Sequence, residues 1–139
     1  MKELAEKIID VRLATRRACM CENQGNRKKS TLSLKTKVMY LISKGCSPKE
    51  MTLTLCIAKT NLALITSGLC EDGFVAKSRN PRDKREIIFT LTAKGKRYLS
   101  DCLDNIAEAF KNILTTDEEI EGATAKLDAV LEILSYLSY

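Results

Sequence analysis

Apolar residues recur at helical spacing from Leu4 through Ile8 and Val11, and Ala14 and Ala18 continue the stripe. This predicts an amphipathic helix ending near Cys19. The polar run over residues 22–30 reads as a loop. A second helix follows, with Leu34, Val38, Leu41 and Ile42 inward and a stop at Lys44-Gly45. Ser47-Pro48-Lys49-Glu50 then combines an N-cap, a proline suited to the first helical position and a glutamate able to close a capping box. The short third helix starting there has Met51, Leu55 and Cys56 for its inner face. After the link Ile57-Ala58, a fourth helix over residues 59–71 buries Leu62, Ile65, Thr66 and Leu69, and Gly73 ends it.

The period then changes. Residues 74–78 read as a strand, Asn80-Pro81-Arg82-Asp83 as a turn, and residues 86–91 as a second strand with Ile87, Phe89 and Leu91 on one face. Thr92 can cap a long helix whose inward stripe is Leu99, Leu103, Ile106, Phe110 and Ile113. A second capping box, Thr116-Asp117-Glu118-Glu119, opens a last helix carrying Leu127, Val130, Leu131, Leu134 and Leu137. The expected fold is mainly α with a small β-hairpin: six helices, in which a helix-turn-helix is followed by a hairpin wing. At 139 residues the chain makes one folding unit.

Composition narrows the chemistry. With 45% hydrophobic and 29% charged residues the chain reads as an ordinary soluble protein. It has no run near the roughly 20 apolar residues a membrane span needs, and its first residues lack the apolar run of a secretion signal. A cytoplasmic protein with no membrane partner is expected. Cys19, Cys21, Cys46, Cys56, Cys70 and Cys102 include no C-x-x-C pair, and there is no histidine. No metal or cofactor is therefore expected, and neither a Ser-His nor a Cys-His pair can be built, which argues against an enzyme.

Charge adds a direction. The net charge is +5, but Lys77, Arg79, Arg82, Lys84, Arg85, Lys94, Lys96 and Arg97 cluster in the middle of the chain, whereas the residues after Ser100 are mostly acidic. A polyanion is drawn to the middle of the chain and repelled from the C-terminal part. The second helix of a helix-turn-helix is slim enough for the major groove, and a basic hairpin can reach the neighbouring backbone or minor groove. The competing reading of these charges is a solvated surface.

Residues 34–99 resemble the core of the MarR family of bacterial repressors. The resemblance rests on Asn80-Pro81-Arg82-Asp83-Lys84-Arg85 in the wing, on Leu91-Thr92-Ala93-Lys94-Gly95 opening the fifth helix, and on Leu69-Cys70-Glu71-Asp72-Gly73-Phe74-Val75 ending the fourth. It implies a DNA-binding regulator, a repressor by preference, acting on double-stranded DNA at a pseudo-palindromic site. The winged lobe would span residues 33–92. A helical lobe of residues 1–20 and 93–139 would form a homodimer through the first, fifth and sixth helices, with Leu4, Ile8, Leu127, Val130, Leu131 and Leu134 as the seam; the alternative is that these residues serve the monomer's own core.

By position, Arg85 enters the minor groove, Asp83 orients its guanidinium, and Arg82 and Lys84 meet phosphates. The recognition helix offers Lys59, Thr60, Asn61, Ala63, Leu64 and Ser67: Asn61 suits adenine, and Ala63 or Leu64 a thymine methyl. Many members carry an arginine near Leu64 and a capping serine near Ala58, and this chain departs from both. Ser47 and Lys49, at a helix N-terminus, are candidate phosphate contacts, with capping as the equal alternative for Ser47. The resemblance also implies a small aromatic effector, held between the DNA-binding lobe and the dimer seam. Two rival readings stay open: a redox-sensing regulator using Cys19 and Cys21, flanked by Arg16 and Arg17, and a winged-helix protein-interaction module with weak DNA specificity.

Overall fold

Caps and glycines set the helix boundaries. The computed structural model describes residues 1–21 and 33–136, apart from the side chains at positions 12, 14, 16–21 and 109. The expected loop over residues 22–30, Leu137 and the side chains of Ala14, Ala18, Cys19 and Cys21 therefore lie outside the described residues. Eight elements follow in order: α1 (Lys2–Cys21), α2 (Leu34–Ser43), α3 (Pro48–Leu55), α4 (Lys59–Glu71), β1 (Val75–Arg79), β2 (Ile87–Leu91), α5 (Ala93–Phe110) and α6 (Asp117–Ser135). Gly45 (φ +77°) follows α2, and Gly73 (φ +75°) closes α4 by letting the Phe74 N–H return to the Leu69 carbonyl at 2.9 Å.

Both capping boxes form. The Ser47 hydroxyl accepts the Glu50 N–H while Glu50 accepts the Ser47 N–H, and Thr116 and Glu119 repeat the exchange. Backbone N–H donors stabilise the ionised carboxylates, so both glutamates titrate below their ordinary value, Glu50 chiefly through the Ser47 backbone and Glu119 chiefly through Thr115 and Thr116. Folded-state values that lie lower mean that these caps contribute above the ordinary carboxylate range and fade as pH falls through it. Helix α4 lacks such help. Its N-cap, Ala58, has the extended backbone of a cap but no side-chain acceptor. Ala58→Ser is expected to raise stability by about 1 kcal/mol, read as a rise of about 3 °C in the thermal midpoint.

The core sits between α2, α3, α4 and the hairpin. Val38, Met39 and Ile42 from α2, Met51 from α3, Leu62 and Leu69 from α4 and Val75 from β1 are buried together, with Ile57, Phe74, Phe89 and Tyr98 packed on their rim. The two buried threonines are satisfied locally: Thr36 pairs with the Ser33 hydroxyl at 2.9 Å, and Thr66 reaches the Leu62 and Ala63 carbonyls. The antiparallel hairpin sets Val75 opposite Leu91, Lys77 opposite Phe89 and Arg79 opposite Ile87. On α5 the burial stops early, at Leu99 and Cys102, where the helix crosses α2 and β2.

Several expected inward positions are not inward. Leu34, first in α2, is 37% exposed. Cys56, expected on the inner face of α3, is exposed and adopts a left-handed backbone (φ 52°) that turns the chain toward α4. Leu103 and Phe110 are about half exposed, and Ile113 lies past the end of α5 and is open to solvent. Leu127 and Leu131 of α6 are also exposed. Among the described residues neither α1 nor α6 packs extensively on any other element of its own chain. The periodicity identified apolar faces; among the described residues of one chain, little covers those of α1 and α6. No single described helix is long and apolar enough to cross a membrane.

Candidate nucleic-acid interface

Helix α4 is fixed by its buried face. Leu62, Thr66 and Leu69 point into the core, so Lys59, Thr60, Asn61, Ala63, Leu64 and Ser67 are all left exposed, as the sequence predicts. Between α4, the start of α3 and the hairpin lies an open groove of about 830 Å³. Its floor is apolar, from Leu62, Val75, Ile87 and Phe89, and its rim carries Lys49, Lys59, Lys77 and Arg85. Ser47, Lys49, Lys59, Ala63, Ser67 and Arg85, chosen from three separate stretches of sequence, thus meet on one face. Thr60, Asn61 and Leu64 look out from the helix beyond the groove lining, and Arg82, Asp83 and Lys84 stand exposed on the wing tip.

The wing tip is shaped by three side chains. Asn80 Oδ1 accepts the Arg82 N–H at 2.9 Å, while its amide donates to Glu86 and its backbone N–H to the Glu86 carbonyl. Asp83 Oδ1 accepts the backbone N–H of Arg85 at 3.0 Å. This corrects one expectation: the described ion pairs are Lys35–Asp72 and Lys111–Glu108, and Asp83 binds the Arg85 backbone rather than its guanidinium. A carboxylate two residues ahead of an N–H closes an Asx turn readily, whereas an exposed ion pair between flexible groups gains little. Arg85 itself lines the groove between the wing and α4.

Sequence reasoning missed Lys77 and Glu86 in this groove. Lys77 shares a sheet face with Val75 by simple alternation and could have been placed from the strand period. The Ser47 hydroxyl is occupied by capping, whereas Lys49 beside it is exposed and is the cation at that helix end. Cys46, Cys56, Cys70 and Cys102 are free thiols. A second cavity of about 430 Å³ lies between α2, β2 and α5, lined by Ile42, Leu91, Leu99 and Leu103 together with Ser43, Thr90, Lys96 and Ser100.

The winged lobe is anchored to α5 through a tight junction. The Thr92 hydroxyl lies 2.6 Å from the Gly73 carbonyl and 3.2 Å from that of Phe74, accepts the Gly95 N–H, and caps the helix. Lys94 donates to the Asp72 carbonyl at 2.7 Å and lies over the Phe74 ring. The residues of two of the sequence motifs, around Gly73 and around Gly95, therefore interlock.

No family model matches the chain. It is 28% identical over 102 residues to the HTH-type transcriptional regulator BilQ of Clostridium symbiosum, covering 73% of this chain and 71% of that protein. It is 31% identical over 93 residues to the HTH-type transcriptional repressor YetL of Bacillus subtilis, covering 64% of this chain and 54% of YetL. A mutant of MarR from E. coli superposes with a TM-score of 0.55 at 25% identity, over 71% of this chain and 76% of MarR; the same mutant, solved with operator DNA, gives 0.52 at 23% over 71% and 74%. With the hairpin wing behind its helix-turn-helix, and two of its three motifs interlocked as described, the chain has a winged helix-turn-helix fold like that of MarR and is similar in sequence to HTH-type transcriptional regulators.

Proposed function

We propose that this chain is a transcriptional regulator, a repressor, that binds double-stranded DNA in the cytoplasm as a homodimer. The observation that carries the reading is the convergence of an exposed α4 with the basic rim of Lys49, Lys59, Lys77 and Arg85 around one groove. The operator complex of MarR and the regulator and repressor names of BilQ and YetL support it. In this reading α4 enters the major groove with Lys59, Thr60, Asn61, Ala63, Leu64 and Ser67. Arg85 enters the minor groove, where negative potential favours a guanidinium. Arg82, Lys84, Lys49 and Ser47 contact phosphates and fix the register. The winged lobe is residues 33–92, and residues 1–20 and 93–139 supply the dimer seam through Leu4, Ile8, Leu127, Val130, Leu131 and Leu134. A small aromatic effector would enter the cavity beside Leu99 and Leu103, whose lining also carries Ser43, Thr90, Lys96 and Ser100, and act on the joint between the two lobes. No catalytic step is assigned.

Arg85→Ala tests the reading. Binding to a duplex enriched by the protein from a random pool is expected to weaken about tenfold or more, and the slope of log affinity against log salt to become shallower by about 1 for each phosphate that Arg85 neutralises. Circular dichroism should be unchanged, since Arg85 is exposed. A competing reading as a protein-interaction module draws on Leu53 and Leu64, which are 69% and 75% exposed. Unchanged binding in Arg85→Ala would favour that reading and remove the wing assignment.

A further inference from the structure

We propose that Leu64 is the specificity-determining residue of α4 and reads the 5-methyl group of thymine. The inference rests on the DNA-binding reading and goes further, into what the recognition helix can distinguish. Thr60, Ala63, Leu64 and Ser67 lie at i, i+3, i+4 and i+7, so they form one outward face of the helix. All four are exposed, and Leu64, at 75%, is among the most exposed large apolar side chains of the protein. It is held outward by burial of Leu62 and Thr66 on the opposite side.

The middle of this face presents carbon: the Ala63 methyl, the Leu64 isopropyl group and the Thr60 methyl. Lys59 and Asn61 lie toward its N-terminal end, and only Asn61 can form a bidentate pair with adenine. The surroundings indicate the occupant. Lys49, Lys59, Lys77 and Arg85 outnumber Glu71 and Glu86 around the adjacent groove, so the surface that receives Leu64 is a polyanion rather than an apolar protein patch. In the major groove of DNA the C5-methyl of thymine is the one apolar group on a base edge. An exposed leucine beside a cationic rim matches that pattern, and it discriminates by a methyl group where hydrogen bonds are few.

The test uses the purified full chain and a duplex enriched by it from a random pool, with deoxyuridine replacing each thymine in turn so that a methyl group is removed and every hydrogen bond kept. Fluorescence anisotropy is expected to show one or two sensitive thymines per half-site, each weakening binding about fourfold. Leu64→Ala, an exposed substitution, should bind thymine and deoxyuridine duplexes equally. The inference is overturned if no thymine is sensitive in the unaltered protein, or if the sensitivity persists in Leu64→Ala. A protein that binds no duplex in a salt-dependent way removes the DNA-binding reading and this inference together; salt-dependent binding without a methyl effect removes the inference alone.

Discussion

Gly95→Ala is expected to unfold the protein or to lower its thermal midpoint by about 10 °C or more. A Cβ at Gly95 would lie 2.1 Å from the Phe74 carbonyl oxygen and 3.1 Å from its carbon. Neither is a flexible side-chain end. The Phe74 oxygen accepts the Thr92 N–H at 3.0 Å and lies 3.2 Å from the Thr92 hydroxyl, so the turn after α4 and the start of α5 are held together at the point of collision. Separating them forfeits those bonds, at about 1 kcal/mol each, and adds overpacking strain of about 1–3 kcal/mol. The total, about 3–5 kcal/mol, is a large part of the stability of a typical domain. Gly68→Ala is the control. Its added Cβ meets nothing within 4 Å, it lies inside α4, and it should gain about 1 kcal/mol from helix propensity. Thermal and urea unfolding of the two variants should therefore move in opposite directions; a Gly95→Ala protein as stable as its parent would mean that the junction is looser than its geometry indicates.

The same junction shows what the sequence could and could not reveal. The threonine cap, both capping boxes and Gly73 are local signals, because each satisfies backbone groups within a few residues, and they placed α3, α4, α5 and α6 closely. That Gly95 must be glycine is not a local fact, since its Cβ is excluded by a carbonyl more than twenty positions away. Cys56 escaped for a different reason. Cysteine carries no preference for a left-handed backbone, so the helix-turn-helix corner looked like a continuation of the α3 inner face. At the wing the residue types were legible and the bonding was not: the sequence suggests a pairing of Asp83 with the Arg85 guanidinium, but the nearer backbone N–H takes the carboxylate. The groove that unites Ser47, Lys59 and Arg85 depends on tertiary packing and could be anticipated only through the family resemblance. Hydrophobic periodicity, finally, reports that a face is apolar without saying which chain covers it.

That last point carries the second large effect. Leu127 and Leu131, one turn apart on α6, are 65% and 63% exposed, and Leu4, Ile9, Leu13, Phe110 and Ile113 are also uncovered. Exposed apolar surface on this scale marks an association site in a soluble protein, and the proposed symmetric homodimer would bury it. Each leucine contributes about 1.5–3 kcal/mol when fully buried, and two-fold symmetry doubles the count. Replacing both, as Leu127→Glu with Leu131→Glu, removes that gain and sets four carboxylates against one another at the seam. Sedimentation should shift from twice the 15.5 kDa chain mass to the chain mass itself. DNA affinity should fall by about 10²–10⁴, because each wing and α4 then engages a half-site without a tethered second copy. Arg85→Ala differs in kind: it weakens binding while the dimer persists, so the two variants separate what one side chain contributes from what linkage contributes. If the unaltered chain sediments at 15.5 kDa, the symmetric dimer is wrong, and the leucines of α6 must be covered by something other than a second copy.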